Sequence, residues 1–468
     1  MNEMYDLIVI GAGPGGYVAA IKAAKLGKKT ALIEKGELGG TCLNRGCIPT
    51  KTLIHSANFI YEADKMKEAG ISVSGLTVDY GKLMERKDEV VSTIRKGIEG
   101  LLKANKVEVY QGAATIIDKN TVTVKGTEGE TNITASNILI ATGSVPVRPN
   151  IEGADLKNVV TSDELLSGQA KPEKKLLIIG GGVIGVEMAT IYNNLGCEVE
   201  IIEAMDRILP GMDKELSQSI AMGLKKKNIK IHTGSKVEKI LEGGMYGLVC
   251  EYTEKDSIKT TDAEVVLLAV GRRPNTERLF GNGIEPEMDK AFIKVDKNFE
   301  TSIPGIYAIG DVIRGKQLAH AASAQGEAAV EIICGLKPSI DLDVIPSCVY
   351  TYPEAAAAGI SEAEAASLGY RVKTGKYPML GNGKTLLSMG ERGFVKLVCD
   401  ADTGRILGAH LLCDRATDMI GELALAISRK LTYKDLASVI RPHPTYEEAV
   451  TEAAEDVEGM AIHLMPKR

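Results

Sequence analysis

Two cysteines separated by four residues are the side chains of this sequence best suited to chemistry. Cys42 and Cys47 lie in a glycine-rich segment, residues 39–51, and are close enough for a strained disulfide within one loop. Pro49 is typical of the first turn of a helix, and the N-terminus of a helix lowers the pKa of a nearby thiol. We therefore predict a reducible pair. The alternatives are a structural disulfide or two buried thiols.

A glycine fingerprint precedes this segment and indicates a dinucleotide. Gly11, Gly13 and Gly16 follow a strand-like run and precede an alanine-rich helical run, and Glu34 ends the next strand-like run. In this motif the first glycine permits a tight turn and the second lets the backbone approach a pyrophosphate. The third glycine lets the helix pack on the strand. The carboxylate binds ribose hydroxyls.

The same arrangement occurs a second time. Gly180, Gly182 and Gly185 form the second turn, and Glu203 ends the following strand at the same distance from the third glycine as Glu34 does in the first copy. A single fingerprint is weak, but two in strand–turn–helix context are strong. The sequence therefore predicts two bound dinucleotides.

The two predicted nucleotides are identified by their neighbours. Glu203 accepts hydrogen bonds from a 2′-hydroxyl and repels a 2′-phosphate, which favours NAD over NADP, although Arg207 lies nearby. The first fingerprint alone fits NAD or FAD. The adjacent cysteine pair favours FAD, because a flavin exchanges electrons with sulfur as well as with a nicotinamide.

Composition narrows the class of protein. The chain has 468 residues, a net charge of −6 and eight cysteines, which indicates a multidomain globular enzyme with no general attraction to nucleic acid or membrane. We expect a cytoplasmic protein without a signal peptide, a transmembrane segment or a metal site. The six other cysteines are predicted to be small buried residues: Cys197, Cys250, Cys334, Cys348, Cys399 and Cys413.

Several separate motifs resemble those of the pyridine nucleotide–disulfide oxidoreductases of class I, over essentially the whole chain. These motifs lie at residues 39–51, 141–144, 269–275, 301–311, 318–320 and 443–448. The resemblance implies an α/β fold with two Rossmann-like dinucleotide-binding domains and a C-terminal α+β interface domain. It places an FAD domain at 1–146, an NAD domain at 147–273, a central segment completing the FAD domain at 274–345, and the interface domain at 346–468.

The resemblance also implies roles for the cysteines and their neighbours. Cys42 is expected to be the thiol that exchanges with substrate, and Cys47 the thiol that faces the flavin. Lys51 is expected near the flavin's reactive nitrogen, paired with Glu187. The alternative for this pair is two unrelated surface charges.

His443 is the predicted acid–base residue. Histidine transfers protons near neutral pH, and Glu448 is placed to orient the imidazole and stabilise its cation. Glu447 is the competing carboxylate and is interpreted as a solvated neighbour.

The full set of nucleotide contacts comes from the fingerprints and the resemblance together. For FAD these are Gly11, Gly13, Gly16, Glu34, Lys35, Gly40, Thr41, Lys51, Ala114, Thr142, Gly143, Ser144, Asp311, Leu318, Ala319 and His320. For NAD they are Gly180, Gly182, Val183, Ile184, Gly185, Glu187, Glu203, Val237 and Gly271.

The resemblance is strongest to the family members that oxidise protein-bound dihydrolipoamide with NAD. It implies a homodimer whose partner is the lipoyl domain of an acyltransferase or the H protein of a glycine cleavage system. The competing interpretations are another flavin disulfide reductase, such as a glutathione reductase, and a non-catalytic subunit of a complex.

Three residues depart from the family pattern: Arg45 between the cysteines, Gln325, and Arg441 where relatives often carry histidine. Residues 58–103 are interpreted as charged amphipathic helices with Leu83, Val90, Ile94 and Leu101 on the apolar side.

Overall fold

The structure is a computed structural model that describes residues 4–466. Parallel sheets flanked by helices form the first two thirds of the chain, and an antiparallel sheet with helices forms the rest. The predicted fold class is confirmed. The first three and last two residues of the predicted outer domains lie outside the described range.

The first nucleotide sheet has a parallel centre. Its central strands are buried on both faces, as their continuous apolar sequences predict: Leu7, Ile8 and Val9 are at most 1% exposed. The parallel strands, in spatial order, are Glu108–Gln111, Thr30–Glu34, Tyr5–Ile10, Gly129–Ile140 and Ile306–Ala308. Two antiparallel strands extend this sheet from the first half of Gly129–Ile140, and these are Thr121–Gly126 and Ala113–Ile116.

The second nucleotide sheet repeats this design. Its parallel strands, in spatial order, are Lys230–Thr233, Glu198–Glu203, Lys175–Ile179, Val265–Leu268 and Val159–Thr161. A three-stranded antiparallel sheet packs beside it and consists of Ser235–Gly243, Gly247–Glu254 and Ser257–Ala263.

A two-stranded joint connects the nucleotide sheets. Ser144–Pro146 pairs antiparallel with Arg272–Pro274, so the chain enters and leaves the second sheet through adjacent strands. A small hairpin, Met288–Asp289 with Phe292–Ile293, follows the joint.

The C-terminal region is an antiparallel sheet covered by helices, as the α+β pattern predicts. Its strands, in spatial order, are Ser347–Val349, Glu354–Gly359, Ile406–Cys413, Phe394–Asp400 and Val372–Pro378. Its helices are Glu362–Ser367, Gly383–Leu387, Ala416–Ser428, Tyr433–Ala437 and Glu448–Asp456, with a 3₁₀ turn at Met379–Gly381.

Helices of the nucleotide-binding part position the predicted site. Those named below are the first nucleotide helix, Pro14–Lys25, the second nucleotide helix, Val183–Asn194, and the redox helix, Cys47–Lys65. The others are Gly40–Arg45, Tyr80–Ala104, Ser162–Leu166, Lys214–Lys226 and Ala319–Ile333, with a 3₁₀ turn at Gly310–Val312. In the described range no helix is long and apolar enough to cross a bilayer.

The redox helix joins the two nucleotide-binding parts. It begins at Cys47. The preceding residue, Gly46, has a non-helical conformation and separates this helix from the short helix that contains Cys42. Leu53, Ile54 and Ala57 face the same hydrophobic cluster as the second nucleotide helix. The helix start predicted near Pro49 is confirmed. Because the redox helix packs on the second nucleotide helix, the cysteine segment lies close to both nucleotide-binding parts.

The predicted apolar side of residues 58–103 is wrong in detail. The segment consists of helices, as predicted: the end of the redox helix and the helix Tyr80–Ala104, which Asp79 caps. The buried apolar residues there are Val91, Ile98 and Leu102, whereas Ile94 and Leu101 are 38% and 53% exposed. Val91 and Ile98 lie seven residues apart and Leu102 lies four residues further on, so the buried side still has helical spacing but is rotated from the predicted one.

Candidate functional site

The first fingerprint has the geometry of a pyrophosphate cradle. A Cβ on Gly16 would lie 1.8 Å from the carbonyl oxygen of Gly11, so only glycine permits this approach of turn and helix. A Cβ on Gly13 would point into open space with no atom within 4 Å. The backbone N–H groups of the first nucleotide helix therefore face an open concavity that suits an anion.

Glu34 is bound by the backbone of the same turn. Its Oε2 accepts a hydrogen bond from the Ala12 N–H at 2.7 Å, and its Oε1 accepts one from the Gly36 N–H at 2.8 Å. Each carboxylate oxygen can accept a further hydrogen bond, so ribose hydroxyls fit here. Lys35 follows directly at the end of the strand.

The second fingerprint reproduces this geometry. A Cβ on Gly185 would lie 2.1 Å from the Gly180 carbonyl oxygen, and Gly182 again faces open space. Glu203 accepts from the Gly181 N–H at 2.6 Å and from the Met205 N–H at 2.7 Å. Both turns therefore fit a dinucleotide. Val183 and Ile184 are the first two residues of the second nucleotide helix.

Arg207 does not pair with Glu203 in this arrangement. It donates a hydrogen bond to the Pro210 carbonyl oxygen at 3.0 Å and lies 3.6 Å from Asp206. The carboxylate of Glu203 consequently keeps its charge facing the predicted ribose.

The cysteine segment touches the first fingerprint directly. The Gly39 N–H donates to the Ala12 carbonyl oxygen at 2.8 Å, and a Cβ on Gly40 would lie 2.7 Å from the Cα of Gly13. Thr41 follows Gly40 in the same short helix. The tertiary structure thus places both thiols beside the predicted FAD site.

The thiols of Cys42 and Cys47 lie within hydrogen-bond distance of each other. That hydrogen bond is the main cause that lowers the pKa of Cys47 to about 7, and the positive charge of Lys51 lowers it further against the effect of burial. The same hydrogen bond, together with burial, raises the pKa of Cys42. The disulfide itself remains a prediction.

The expectation for the six other cysteines is confirmed for four of them. Cys197, Cys250, Cys399 and Cys413 are buried, whereas Cys334 and Cys348 are half-buried. Within residues 4–466 none of these six cysteines is bonded to another cysteine.

The predicted ion pair between Lys51 and Glu187 is confirmed. The ammonium of Lys51 lies 3.0 and 2.9 Å from the two carboxylate oxygens of Glu187, whose side chain is only 4% exposed. The Tyr350 N–H also donates to Glu187 at 3.1 Å, and the Tyr350 ring lies 4.6 Å from the ammonium. Three separate segments of the chain therefore meet at this pair.

Ser144 and Asp311 are brought together across the joint. The Ser144 hydroxyl donates to Asp311 at 2.5 Å, and Arg272 donates to both the hydroxyl and the carbonyl oxygen of Ser144 at 2.8 Å. The hydroxyl of Thr142 is buried without a partner in the described range, and the Gly143 carbonyl accepts from the Asn275 N–H.

The remaining predicted contacts are spread more widely. Leu318 caps the helix that starts with Ala319, and Ser323 in that helix donates to the Pro14 carbonyl. His320 is exposed, and its Nε2 lies 2.8 Å from the Pro346 carbonyl oxygen. The departure at Gln325 has a structural role, because its side chain accepts from the Gly310 N–H at 2.8 Å.

Three further predicted contacts lie in strands or at the joint, and these are Ala114, Val237 and Gly271. Ala114 lies in the strand Ala113–Ile116, and Val237 belongs to a hydrophobic cluster and is 7% exposed. Gly271 has a φ of +121° and accepts from the Val147 N–H at the joint. The side chain of Val237 therefore packs in the core rather than towards a ligand.

His443 pairs with Glu448 and not with Glu447. Its Nδ1 lies 2.8 Å from the Glu448 carboxylate, which also accepts from the Thr445 N–H at 2.8 Å. Burial opposes ionisation of Glu448, but these hydrogen bonds outweigh it and lower its pKa. The imidazole is 78% exposed, and in residues 4–466 Glu448 is its only hydrogen-bond or ion-pair partner. The structure does not join it to the cysteines of the same chain.

Sequence reasoning did not assign roles to Tyr350, Asp163 or Arg272. Asp163 lies 3.6 Å from both Arg45 and Arg272, so the departure at Arg45 has an acidic partner on another helix. Arg272 belongs to a recognisable motif, but no local pattern points to Tyr350 or Asp163.

Comparison with known proteins gives consistent results. Residues 5–326 match the family described as pyridine nucleotide-disulphide oxidoreductase, and residues 345–454 match the dimerisation domain of that family. A dihydrolipoyl dehydrogenase of Bacillus subtilis is 43% identical over 98% of both chains. One of Geobacillus stearothermophilus is 42% identical over 99% of this chain and 98% of its own.

A solved structure shows the same architecture. The HOCl-induced flavoprotein disulfide reductase RclA from Escherichia coli has a TM-score of 0.85 and 28% identity, over 96% of this chain and 99% of its own. The dimerisation-domain match supports the expected homodimer. With two dinucleotide sites, a cysteine pair between them and a matching family over nearly its full length, this chain belongs to the pyridine nucleotide-disulphide oxidoreductases, which are FAD- and NAD-dependent enzymes.

Proposed function

We propose that this enzyme oxidises protein-bound dihydrolipoamide to lipoamide and reduces NAD. The relatives at 42–43% identity carry the name dihydrolipoyl dehydrogenase. The observation that carries the proposal is the position of the cysteine pair: Gly39 and Gly40 hold it against the first fingerprint, and Cys47 begins the redox helix one turn before Lys51. This position favours the thiolate of Cys47 over that of Cys42, in keeping with the lowered pKa of Cys47 and the raised pKa of Cys42.

This inequality selects which sulfur the substrate attacks. When the pair is oxidised, a substrate thiolate attacks the sulfur of Cys42 and the S–S bond breaks. Cys47 leaves as the thiolate, because the thiol of lower pKa is the better leaving group. The second substrate thiol then attacks the mixed disulfide, which closes the lipoamide ring and releases the Cys42 sulfur.

His443 is proposed to carry the protons of these steps. It takes a proton from the substrate thiol, since the thiolate is the nucleophile, and later returns a proton to the released Cys42 sulfur. Glu448, held by the Thr445 N–H, fixes the imidazole and stabilises its cation.

The two nucleotide sites complete the reaction. FAD is proposed to bind at the first fingerprint, and Asp311, Ser144 and Lys51 are proposed to contact FAD as well. NAD is proposed to bind at the second fingerprint. FAD held at the first fingerprint would supply two-electron chemistry between the dithiol pair and NAD. Lys51 and Glu187 lie between the two sites and are proposed to set the charge there.

We propose that the active site is shared between two subunits. His443 is 78% exposed and lies beside Ile440, which is 96% exposed, so this surface has both a reactive group and apolar area left uncovered by its own chain. The dimerisation-domain match covers this region. A second copy would cover the apolar area and bring His443 to the partner's cysteines.

The remaining predictions stay proposals. A lipoyl domain of an acyltransferase or a glycine cleavage H protein is the proposed carrier of the substrate, and the proposed location is the cytoplasm. The domain limits of 1–146, 147–273, 274–345 and 346–468 are proposed as well, with the paired strands of the joint near two of them.

The reaction is tested by comparing two substrate pairs. We expect rapid turnover with dihydrolipoamide and NAD, and turnover at least a hundredfold slower with NADPH and oxidised glutathione, because Glu203 repels a 2′-phosphate. Steady-state absorbance at 340 nm measures both. Faster reaction of the glutathione pair would make this a different disulfide reductase, and no turnover of either pair would support a non-catalytic subunit.

The choice of NAD is tested at Glu203. We expect Glu203→Arg, and more mildly Glu203→Gln, to weaken NAD use and to raise the ratio of kcat/KM for NADP over NAD. Glu34→Gln is the matched control, because Glu34 has the same backbone hydrogen bonds at the first fingerprint. An unchanged ratio in both Glu203 variants would refute the assignment.

The effect of Lys51 is tested on a single thiol. In a Cys42→Ser background, a hydroxyl still donates to Cys47, and the alkylation rate of Cys47 by iodoacetamide follows its thiolate fraction. We expect Lys51→Met to move the half-maximal pH from about 7 towards the value of an ordinary cysteine, about 8.5. Lys65→Met, on the same helix, should leave it in place. Equal profiles for both lysine variants would show that Lys51 does not act on the thiol.

The shared site is tested by complementation. Cys47→Ser and His443→Gln should each be nearly inactive in dihydrolipoamide oxidation. A mixed dimer of the two contains one site with both lesions and one with neither, so we expect about half of the wild-type activity per dimer. Isolated mixed dimers without activity would show that His443 serves the cysteines of its own chain.

A further inference from the structure

Arg441, one of the departures from the family pattern, is a buried crosslink in the C-terminal region. Its side chain is only 4% exposed although it carries a permanent charge. A buried guanidinium requires partners for its N–H groups. The two terminal nitrogens have partners on three helices, whereas Nε is buried without a partner in the described residues.

Two of its contacts are short and polar. One terminal nitrogen, Nη2, donates to Glu422 on the helix Ala416–Ser428 at 2.6 Å. The other, Nη1, donates to the hydroxyl of Thr451 on the helix Glu448–Asp456 at 2.7 Å.

Two further contacts close a helix end. Nη1 also lies 3.1 and 3.3 Å from the carbonyl oxygens of Leu436 and Val439, at the C-terminus of the helix Tyr433–Ala437. The last carbonyls of a helix lack partners within it, and an arginine supplies donors for them. One side chain thus holds three helices together.

Both members of the acid–base pair are close in sequence to residues of this hydrogen-bonded group. His443 follows Arg441 by two residues, and Glu448 precedes Thr451 by one helical turn. The distance between His443 and Glu448 therefore depends on how the segment carrying Arg441 sits against the helix carrying Thr451. The imidazole is exposed and has no other partner in the described residues to hold it.

We propose that Arg441 is a positioning residue that holds His443 and Glu448 in register for proton transfer. The inference rests on the proposed function of His443. Arg441 acts through the backbone and Thr451, because its guanidinium is buried and is not available to the substrate. Lysine would not replace it fully, since an ammonium lacks the planar fork that reaches Glu422 and Thr451 together.

The test compares two activities of the full-length enzyme. Dihydrolipoamide oxidation by NAD needs His443, whereas NADH oxidation by an artificial dye does not use its proton transfer. We expect Arg441→Met to lower dihydrolipoamide oxidation about ten- to a hundredfold and to shift its pH profile, with dye reduction changed less than twofold. Arg441→Lys should recover part of the loss.

Arg415→Met is the matched control in the same region. Arg415 is 71% exposed and forms only a surface pair with Asp418 at 3.3 Å, so both activities should remain. Thr451→Val removes only the link to the helix of Glu448 and should cause a smaller loss of the same kind. This variant tests the inference even if Arg441→Met does not fold.

The alternatives give different results. A parallel fall of both activities in Arg441→Met and in Thr451→Val would mean general damage, and no fall in either variant would mean no positioning; each overturns the inference. If the wild type fails to oxidise dihydrolipoamide, the proposed function falls instead. The inference is then read from the ¹⁵N signal of the His443 ring, which Thr451→Val and Arg441→Met should move and Arg415→Met should not.

Discussion

The ion pair between Lys51 and Glu187 is the contact on which the rest of the site depends. Glu187 is almost fully buried, and a buried carboxylate is costly unless a counter-charge and hydrogen bonds stabilise it. Both come from elsewhere in the chain: the ammonium from the redox helix and the N–H of Tyr350 from the C-terminal region. Removing one partner of a buried pair costs about 3–5 kcal/mol. The thiols, the second nucleotide turn and the C-terminal sheet are consequently held in one arrangement.

The two nucleotide turns use the same hydrogen bonds to stabilise their backbone. In each, a carboxylate at a strand end, Glu34 or Glu203, accepts N–H groups of the glycine turn and of the following residues. The third glycine of each turn permits a close approach of helix and turn, since a Cβ there would lie about 2 Å from a carbonyl oxygen. The turns differ in their surroundings, because only the first is in contact with the cysteine segment through Gly40. A dinucleotide bound at the first turn would therefore lie next to the thiols.

The C-terminal region presents an acid–base pair at its surface. His443 is oriented by Glu448 yet remains exposed, and Arg441 restrains the segment from the buried side. An exposed but rigidly supported acid–base group suits a site completed by a second subunit. The lowered pKa of Cys47 and the raised pKa of Cys42 agree with the proposal that Cys42 exchanges with substrate.

The sequence by itself determined the fold class, both fingerprints, the cysteine pair, and the pairings of Lys51 with Glu187 and of His443 with Glu448. These depend on local spacing or on motifs whose geometry recurs wherever the spacing does. Only the tertiary structure decided that Val91, Ile98 and Leu102 rather than Ile94 and Leu101 are buried, and that Val237 packs in the core. It also decided the partners of Tyr350 and Asp163, which lie far away in the chain, and the burial of Arg441 among helices that are near it in sequence. Local patterns carry the period of a helix and the chemistry of a turn, but burial and long-range charge pairing are set by which elements pack together.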